Sequence, residues 1–120
     1  GDAYVMRTVG GRVTDTVEAE LTILVFLLEQ TSSSPTDLSV MVIHHTDCGM
    51  QKISSEEARA ALSEHMGTDR FTKIYPAPNP QESVRLDVDK LRSSSIAPDG
   101  ITVTGHVFDV ETGRLHQIVD

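Results

Sequence analysis

The residues best placed to do chemistry sit together in His44-His45-Thr46-Asp47-Cys48-Gly49-Met50. A histidine and a cysteine three residues apart can bring an imidazole nitrogen and a thiolate onto one metal ion, with bonds of about 2.0–2.1 Å and 2.3 Å. Mixed nitrogen and sulfur donors suit zinc. Gly49 lets the backbone turn sharply and approach a small ligand closely. The same letters also allow a bland reading, in which the cysteine packs as a small hydrophobe and the histidine is structural. Two donors are fewer than a catalytic zinc needs, which is three protein ligands and one open position.

The motif directly follows an apolar run over 38–44 (LSVMVIH) that reads as a buried strand. In open α/β sheets, ligands bind beyond the carboxyl ends of such strands. A shorter apolar run over 3–6, with Tyr4 and Val5, reads as a further buried strand, and Gly10-Gly11 breaks regular structure after it. Thr14 or Asp15 can cap a helix, with Glu18 and Glu20 at its positive end. Val17, Leu21, Leu24, Val25 and Leu28 follow helical spacing, while Ile23, Phe26 and Leu27 make the second half apolar nearly all round. A helix apolar all round is buried on more than one side, so the extra face reads as a subunit interface. The run 21–28 is also rich in strand formers, which keeps a β reading open. Residues 31–37 (TSSSPTD) form a polar loop and 45–50 a second loop.

A second helix opens at Ser54 or Ser55, with Glu56 or Glu57 placed for a capping box. Its packed face is Ala58, Ala61, Leu62 and His65 or Met66, and Gly67 suits its end. Three prolines make 71–80 irregular. Asn79 and Pro80 then begin a third helix, with Val84, Val88 and Leu91 on one face and Leu86 to the side. Asp87 and Asp89, near Lys90 and Arg92, read as a solvated face. Residues 101–110 alternate like a strand, Glu111-Thr112-Gly113 turns the chain, and 114–119 returns as a hairpin. His65 falls on a helix face and His116 on the hairpin, and His106 reads as a packed or hydrogen-bonded histidine rather than a ligand. The expected fold is a single α/β domain over 1–120, with a mostly parallel central sheet, flanking helices and a C-terminal hairpin.

Composition excludes several classes. With 10 Lys and Arg against 18 Asp and Glu, the formal net charge is −8 and the pI about 4.9, which argues against a nucleic-acid binder. The 38% apolar content is enough for one modest core. No stretch approaches the roughly 20 apolar residues of a membrane span. One cysteine cannot form an internal disulfide, and no export signal is visible, so the expected compartment is the reducing cytoplasm. The chain opens on Gly1 rather than Met, and we expect an N-terminally incomplete domain.

Gly1-Asp2-Ala3-Tyr4-Val5-Met6-Arg7-Thr8-Val9-Gly10-Gly11 resembles a recurring block of the β-class carbonic anhydrases, where a Gly-Asp/Glu pair leads a strand ending in Arg-Asn and a small-residue turn. In that family a long apolar helix follows, then a strand ending in His-Thr-x-Cys-Gly, matched here by His45-Thr46-Asp47-Cys48-Gly49. The doubled His44-His45, Met50, Gly105-His106-Val107-Phe108-Asp109 and Thr112-Gly113-Arg114-Leu115 resemble its compact bacterial and fungal branch. The resemblance runs from Gly1 to about Val119. It implies that His45 and Cys48 are zinc ligands, that Gly49 lines the small-substrate pocket, and that Arg7 supports the site or the interface. It also implies a homodimer or higher oligomer with active sites at the interface.

The implied activity is zinc-dependent, reversible hydration of carbon dioxide to bicarbonate by a zinc-bound hydroxide. The alternatives are a carbonyl sulfide or carbon disulfide hydrolase of the same family, or a catalytically inactive truncated homologue. Thr8 and Val9 depart from the family's Asn-Ala. The family's third ligand lies in a C-x-D-x-R motif, whose Asp and Arg form a catalytic dyad upstream of the part matching Gly1. No such motif occurs here and Cys48 is the only cysteine, so no catalytic residue is identifiable in this chain.

Overall fold

The computed structural model describes residues 3–31, 38–70, 75–94 and 101–120. The expected Gly1-Asp2 lead, most of the polar loop (32–37) and the start of the proline-rich stretch (71–74) lie outside them. Each helix begins where a short polar side chain can satisfy its first N–H groups. α1 (Asp15–Thr31) starts behind Thr14, whose Oγ1 accepts the Val17 N–H at 3.3 Å. α2 (Glu56–Met66) is capped by Ser55, which accepts the Ala58 N–H at 3.1 Å, and it ends on Gly67 at φ 65°. α3 (Pro80–Ser93) is capped by Asn79, whose Oδ1 accepts the Gln81 and Glu82 N–H groups at 2.9 and 3.2 Å.

β1 (Ser39–His45), β2 (Thr102–Asp109) and β3 (Arg114–Val119) form one mixed sheet in that order. β1 and β2 are parallel, with Val42 opposite Gly105 and His45 opposite Phe108. β2 and β3 are the expected antiparallel hairpin, with Phe108 opposite Leu115. Gly113, at φ 71°, closes its turn by donating to the Asp109 carbonyl at 2.8 Å. Of two 3-10 turns, Val9–Gly11 and Gly49–Ile53, the second takes in the last two residues of the chemistry-bearing motif.

α1 and α3 place Leu21, Val25, Val84, Val88 and Leu91 in one core with Val42, Val103 and Val107 of the sheet. The start of α1 is tied to α3 through Lys90. Its Nζ reaches the Asp15 carboxylate at 2.7 Å and the Val13 carbonyl at 3.2 Å, and lies 5.1 Å from the Tyr75 ring centre. The Lys90 hydrogen bond, then that of Tyr75, holds the Asp15 carboxyl below its usual value. No helix among the described residues is long and apolar enough to cross a membrane.

Four expectations need correction. Residues 3–8 are irregular, with Tyr4 66% and Val5 77% exposed, because the described sheet gives them no strand to pair with. α2 buries no residue: Ala58 and Leu62 are half-buried, but Ala61, His65 and Met66 face solvent. The expected loop over 45–50 is a loop only from Thr46 to Cys48, since His45 still belongs to β1 and Gly49 already to a 3-10 turn. Asp87 is not on a solvated face. It is 1% exposed, on the same stripe as Val84, Val88 and Leu91.

Candidate functional site

Strand alternation separates the two histidines at the end of β1, because successive side chains point to opposite faces. His44 turns into the core and is 2% exposed, whereas His45 faces out. The His44 Nε2 lies 3.1 Å from Asp87 Oδ2. A carboxylate only accepts, so that nitrogen carries the proton.

His45 is set differently. Its Nδ1 lies 2.8 Å from the Thr46 carbonyl oxygen, which again only accepts, so Nδ1 carries a proton and the neutral ring has its lone pair on Nε2. The ring is thereby in the tautomer a metal ligand needs. Thr46 pins the next step to β2: its N–H donates to the Phe108 carbonyl at 2.9 Å, and its Oγ1 accepts the Val110 N–H at 3.0 Å.

The sharp turn belongs to Asp47, at φ 53°, and not to Gly49. A Cβ on Gly49 would meet nothing within 4 Å among the described residues, so its bareness answers no packing demand from them. Cys48 is half-buried. Its N–H donates to Gln51 Oε1 at 3.1 Å and its carbonyl accepts the Gln51 N–H at 3.0 Å, which opens the 3-10 turn.

Arg7 lies in the irregular exposed stretch ahead of the Val9–Gly11 turn. Among the described residues, no three His, Cys, Asp or Glu side chains group as a metal site. A cleft of about 620 Å³ beside the motif is lined by Thr46, Asp47, Asp109, Val110 and Glu111, and by neither Arg7 nor Gly49. The Thr112 side chain and the Glu111 N–H hold the Asp109 carboxyl there below its usual value. His106 is buried, with Nε2 3.0 Å from Thr104 Oγ1, in keeping with a hydrogen-bonded strand histidine.

The group that sequence reasoning missed is Arg12 with Asp87. Arg12 Nε and Nη2 each reach Asp87 at 2.9 Å, and the Val13 N–H adds a bond at 3.0 Å. Burial pushes the Asp87 carboxyl up, but the hydrogen bonds from His44, Arg12 and Val13 and the Arg12 charge outweigh it and hold it below its usual value. The available signal was helical spacing, since position 87 is i+3 from Val84 and i−4 from Leu91.

No family model matches the chain. Curated relatives do. Beta-carbonic anhydrase 1 of Mycobacterium tuberculosis is 29% identical over 118 residues, covering 98% of this chain and 68% of that protein. A carbon disulfide hydrolase of Acidithiobacillus thiooxidans is 27% identical over 138 residues, covering 96% of this chain and 63% of its own. Among solved structures, the carbonic anhydrase of Streptococcus mutans superposes with a TM-score of 0.78 at 35% identity, over 98% of this chain and 68% of that one. Fold, sequence and the His-Thr-x-Cys-Gly turn at the end of β1 thus agree, and the chain belongs to the β-carbonic anhydrase family.

Proposed function

We propose that this chain carries the His-x-x-Cys part of a zinc site and serves the reversible hydration of carbon dioxide to bicarbonate. The observation that carries this reading is the tautomer of His45: its Nδ1 is committed to the Thr46 carbonyl, which leaves Nε2 for a metal on the exposed side of β1. The donor chemistry fits zinc as two of its ligands, His45 and Cys48. Within one chain, no third protein ligand joins them among the described residues.

When bound, the metal supplies Lewis acidity that makes water a nucleophile at neutral pH. The rest falls to the chain. Thr46 holds the end of β1 against β2, Asp47 turns the backbone, and Gln51 fixes the Cys48 peptide, so the two donors approach from a stiff frame. In this reading Gly49 lines the substrate side and Arg7 supports the site or the interface.

A homodimer is part of the proposal. Ile23, Phe26 and Leu27 on α1 are 59%, 58% and 53% exposed, which is unusual for three large apolar side chains on one helix. The radius of gyration is 16.1 Å, against about 13.6 Å for a compact 120-residue domain. A second copy covering α1 accounts for that exposure. The single thiol, needed reduced as a ligand, makes the cytoplasm the compartment this reading expects.

The test is zinc affinity by equilibrium dialysis, with stopped-flow hydration of carbon dioxide on the same samples. Two ligands alone should hold zinc weakly and turn over poorly. His45→Ala and Cys48→Ala should each lower affinity by more than the about 10–100-fold that loss of an outer partner costs. Zinc binding indifferent to both variants refutes the ligand assignment, and near-normal hydration with stoichiometric zinc refutes the two-ligand expectation. The likeness to carbon disulfide hydrolases supports a second reading, hydrolysis of that substrate at the same site, which sulfide release would reveal.

A further inference from the structure

Asp87 is one buried carboxylate on which two separate parts of the chain converge, the 12–13 segment and the end of β1. Arg12 grips it with Nε and Nη2, the Val13 N–H donates to it, and His44 Nε2 donates from the end of β1. The His44 Nδ1 has no hydrogen-bond partner among the described residues, so the bond to Asp87 is the one that orients that packed ring there.

The contacts continue into a closed ring around the motif. A Cβ on Gly11 would lie 2.9 Å from both His44 Cδ2 and the Ile43 carbonyl oxygen, so the Val9–Gly11 turn rests directly on the end of β1. A Cβ on Gly10 would lie 3.1 Å from Met50 Cγ and 3.4 Å from Ala77 Cβ. Met50 sits two residues after Cys48, and its carbonyl accepts from Ser54 Oγ at 2.5 Å, which in turn accepts the Ala77 N–H at 2.8 Å. Arg12 closes the ring by donating through Nη1 to the Pro76 carbonyl.

We infer that Asp87, acting through His44 and Arg12, is a positioning residue for the His45-x-x-Cys48 turn, setting the direction from which the two donors meet a metal. Adjacent strand residues point to opposite faces, so fixing the His44 ring from below fixes the intervening peptide and the direction of His45 above. This rests on the reading of His45 and Cys48 as zinc ligands, and its test separates the two.

The perturbation is Asp87→Asn in the full chain. Asp87 Oδ2 faces three N–H donors and Oδ1 faces one, so either orientation of the new amide sets its NH₂ against a donor. The control is Leu91→Ala, on the same helix and equally buried, which destabilises the core without touching the network. Two readouts are taken: Co²⁺ affinity with its thiolate absorption band, and amide exchange at Thr46 and Val110 in the metal-free protein.

The expected result is Co²⁺ binding about 10–100-fold weaker in Asp87→Asn, with a shifted band. Faster exchange at Thr46 and Val110 should accompany it, and Leu91→Ala should bind Co²⁺ within about twofold of the parent. Arg12→Lys keeps the charge but loses the two-pronged grip, and should move both readouts the same way by less. It also serves if Asp87→Asn does not fold. Parent-like affinity and exchange in the variant overturn the proposal, as does an equal response in Leu91→Ala. If the parent binds no Co²⁺ through His45 and Cys48, the ligand assignment fails, and the metal-free exchange alone decides the role of Asp87.

Discussion

Gly105→Ala tests whether the glycine of the Gly-His-Val-Phe-Asp segment is there for packing. Gly105 lies mid-strand in β2, directly under α3. A Cβ there would stand 2.9 Å from Val88 Cγ2, 3.2 Å from Val84 Cγ2 and 3.3 Å from Val119 Cβ. Val84 and Val88 are 0% exposed. Both are β-branched on a helix, where one χ1 rotamer dominates, so neither methyl can swing aside. Overpacking of this kind costs about 1–3 kcal/mol, and removing a glycine from a strand returns about 0.5–1 kcal/mol. Taken at the middle of both ranges, the net is a loss of about 1 kcal/mol, or about 4 °C in Tm for a chain of this length. Val88→Ala alone should cost about 1–3 kcal/mol through the void it leaves. In the double variant the new methyl occupies that void, so the pair should be less destabilising than the sum by about 1 kcal/mol or more. Urea unfolding of the four proteins measures the cycle. A Gly105→Ala protein as stable as the parent, or strictly additive losses, would refute the packing account of this glycine.

Phe26→Ser should weaken a dimer without harming the fold, because Phe26 is 58% exposed in the single chain. At about 1.5–3 kcal/mol for full burial, that exposure corresponds to about 0.9–1.7 kcal/mol per subunit. Counted on both sides of a two-fold interface, it is about 20–300-fold in dissociation constant, readable by sedimentation equilibrium. A parent that stays monomeric, or a variant with unchanged association, defeats the assignment of α1 to the interface. Leu24→Asp should also break the dimer or the fold, but Leu24 is half-buried, so only Phe26→Ser isolates association. Asp87 predicts an acid limb. Its folded carboxyl titrates below the 3.8 expected unfolded, so its stabilisation is complete above that pH and is lost as pH falls through the folded value. Unfolding free energies between pH 2 and 6 should therefore fall less steeply in Asp87→Asn than in the parent, and parallel curves would refute the charge account.

Where one local interaction decides the outcome, the sequence is readable. Thr14, Ser55 and Asn79 each cap the helix expected of them, Gly67 and Gly113 take the left-handed conformation where the chain must turn, and the His-x-x-Cys motif falls at the carboxyl end of a strand. Where a distant partner decides, it is not. The apolar letters of residues 3–6 do not make a strand, because a strand exists only in a ladder, and letters do not reveal whether a neighbour is there. Gly49 attracted the turn that Asp47 makes, since asparagine-like side chains also tolerate left-handed backbone.

Asp87 is the instructive failure. Its charge and its neighbours Asp89, Lys90 and Arg92 argued for solvent, while its helical phase argued for the core, and phase won. The reason is a partner 75 residues away in sequence, Arg12, which supplies both the opposite charge and a two-pronged geometry that makes burial affordable. A carboxylate on the apolar phase of a helix therefore implies a buried cation elsewhere. Here the candidate was also visible, as an arginine directly after a Gly-Gly turn in a segment that otherwise has to pack.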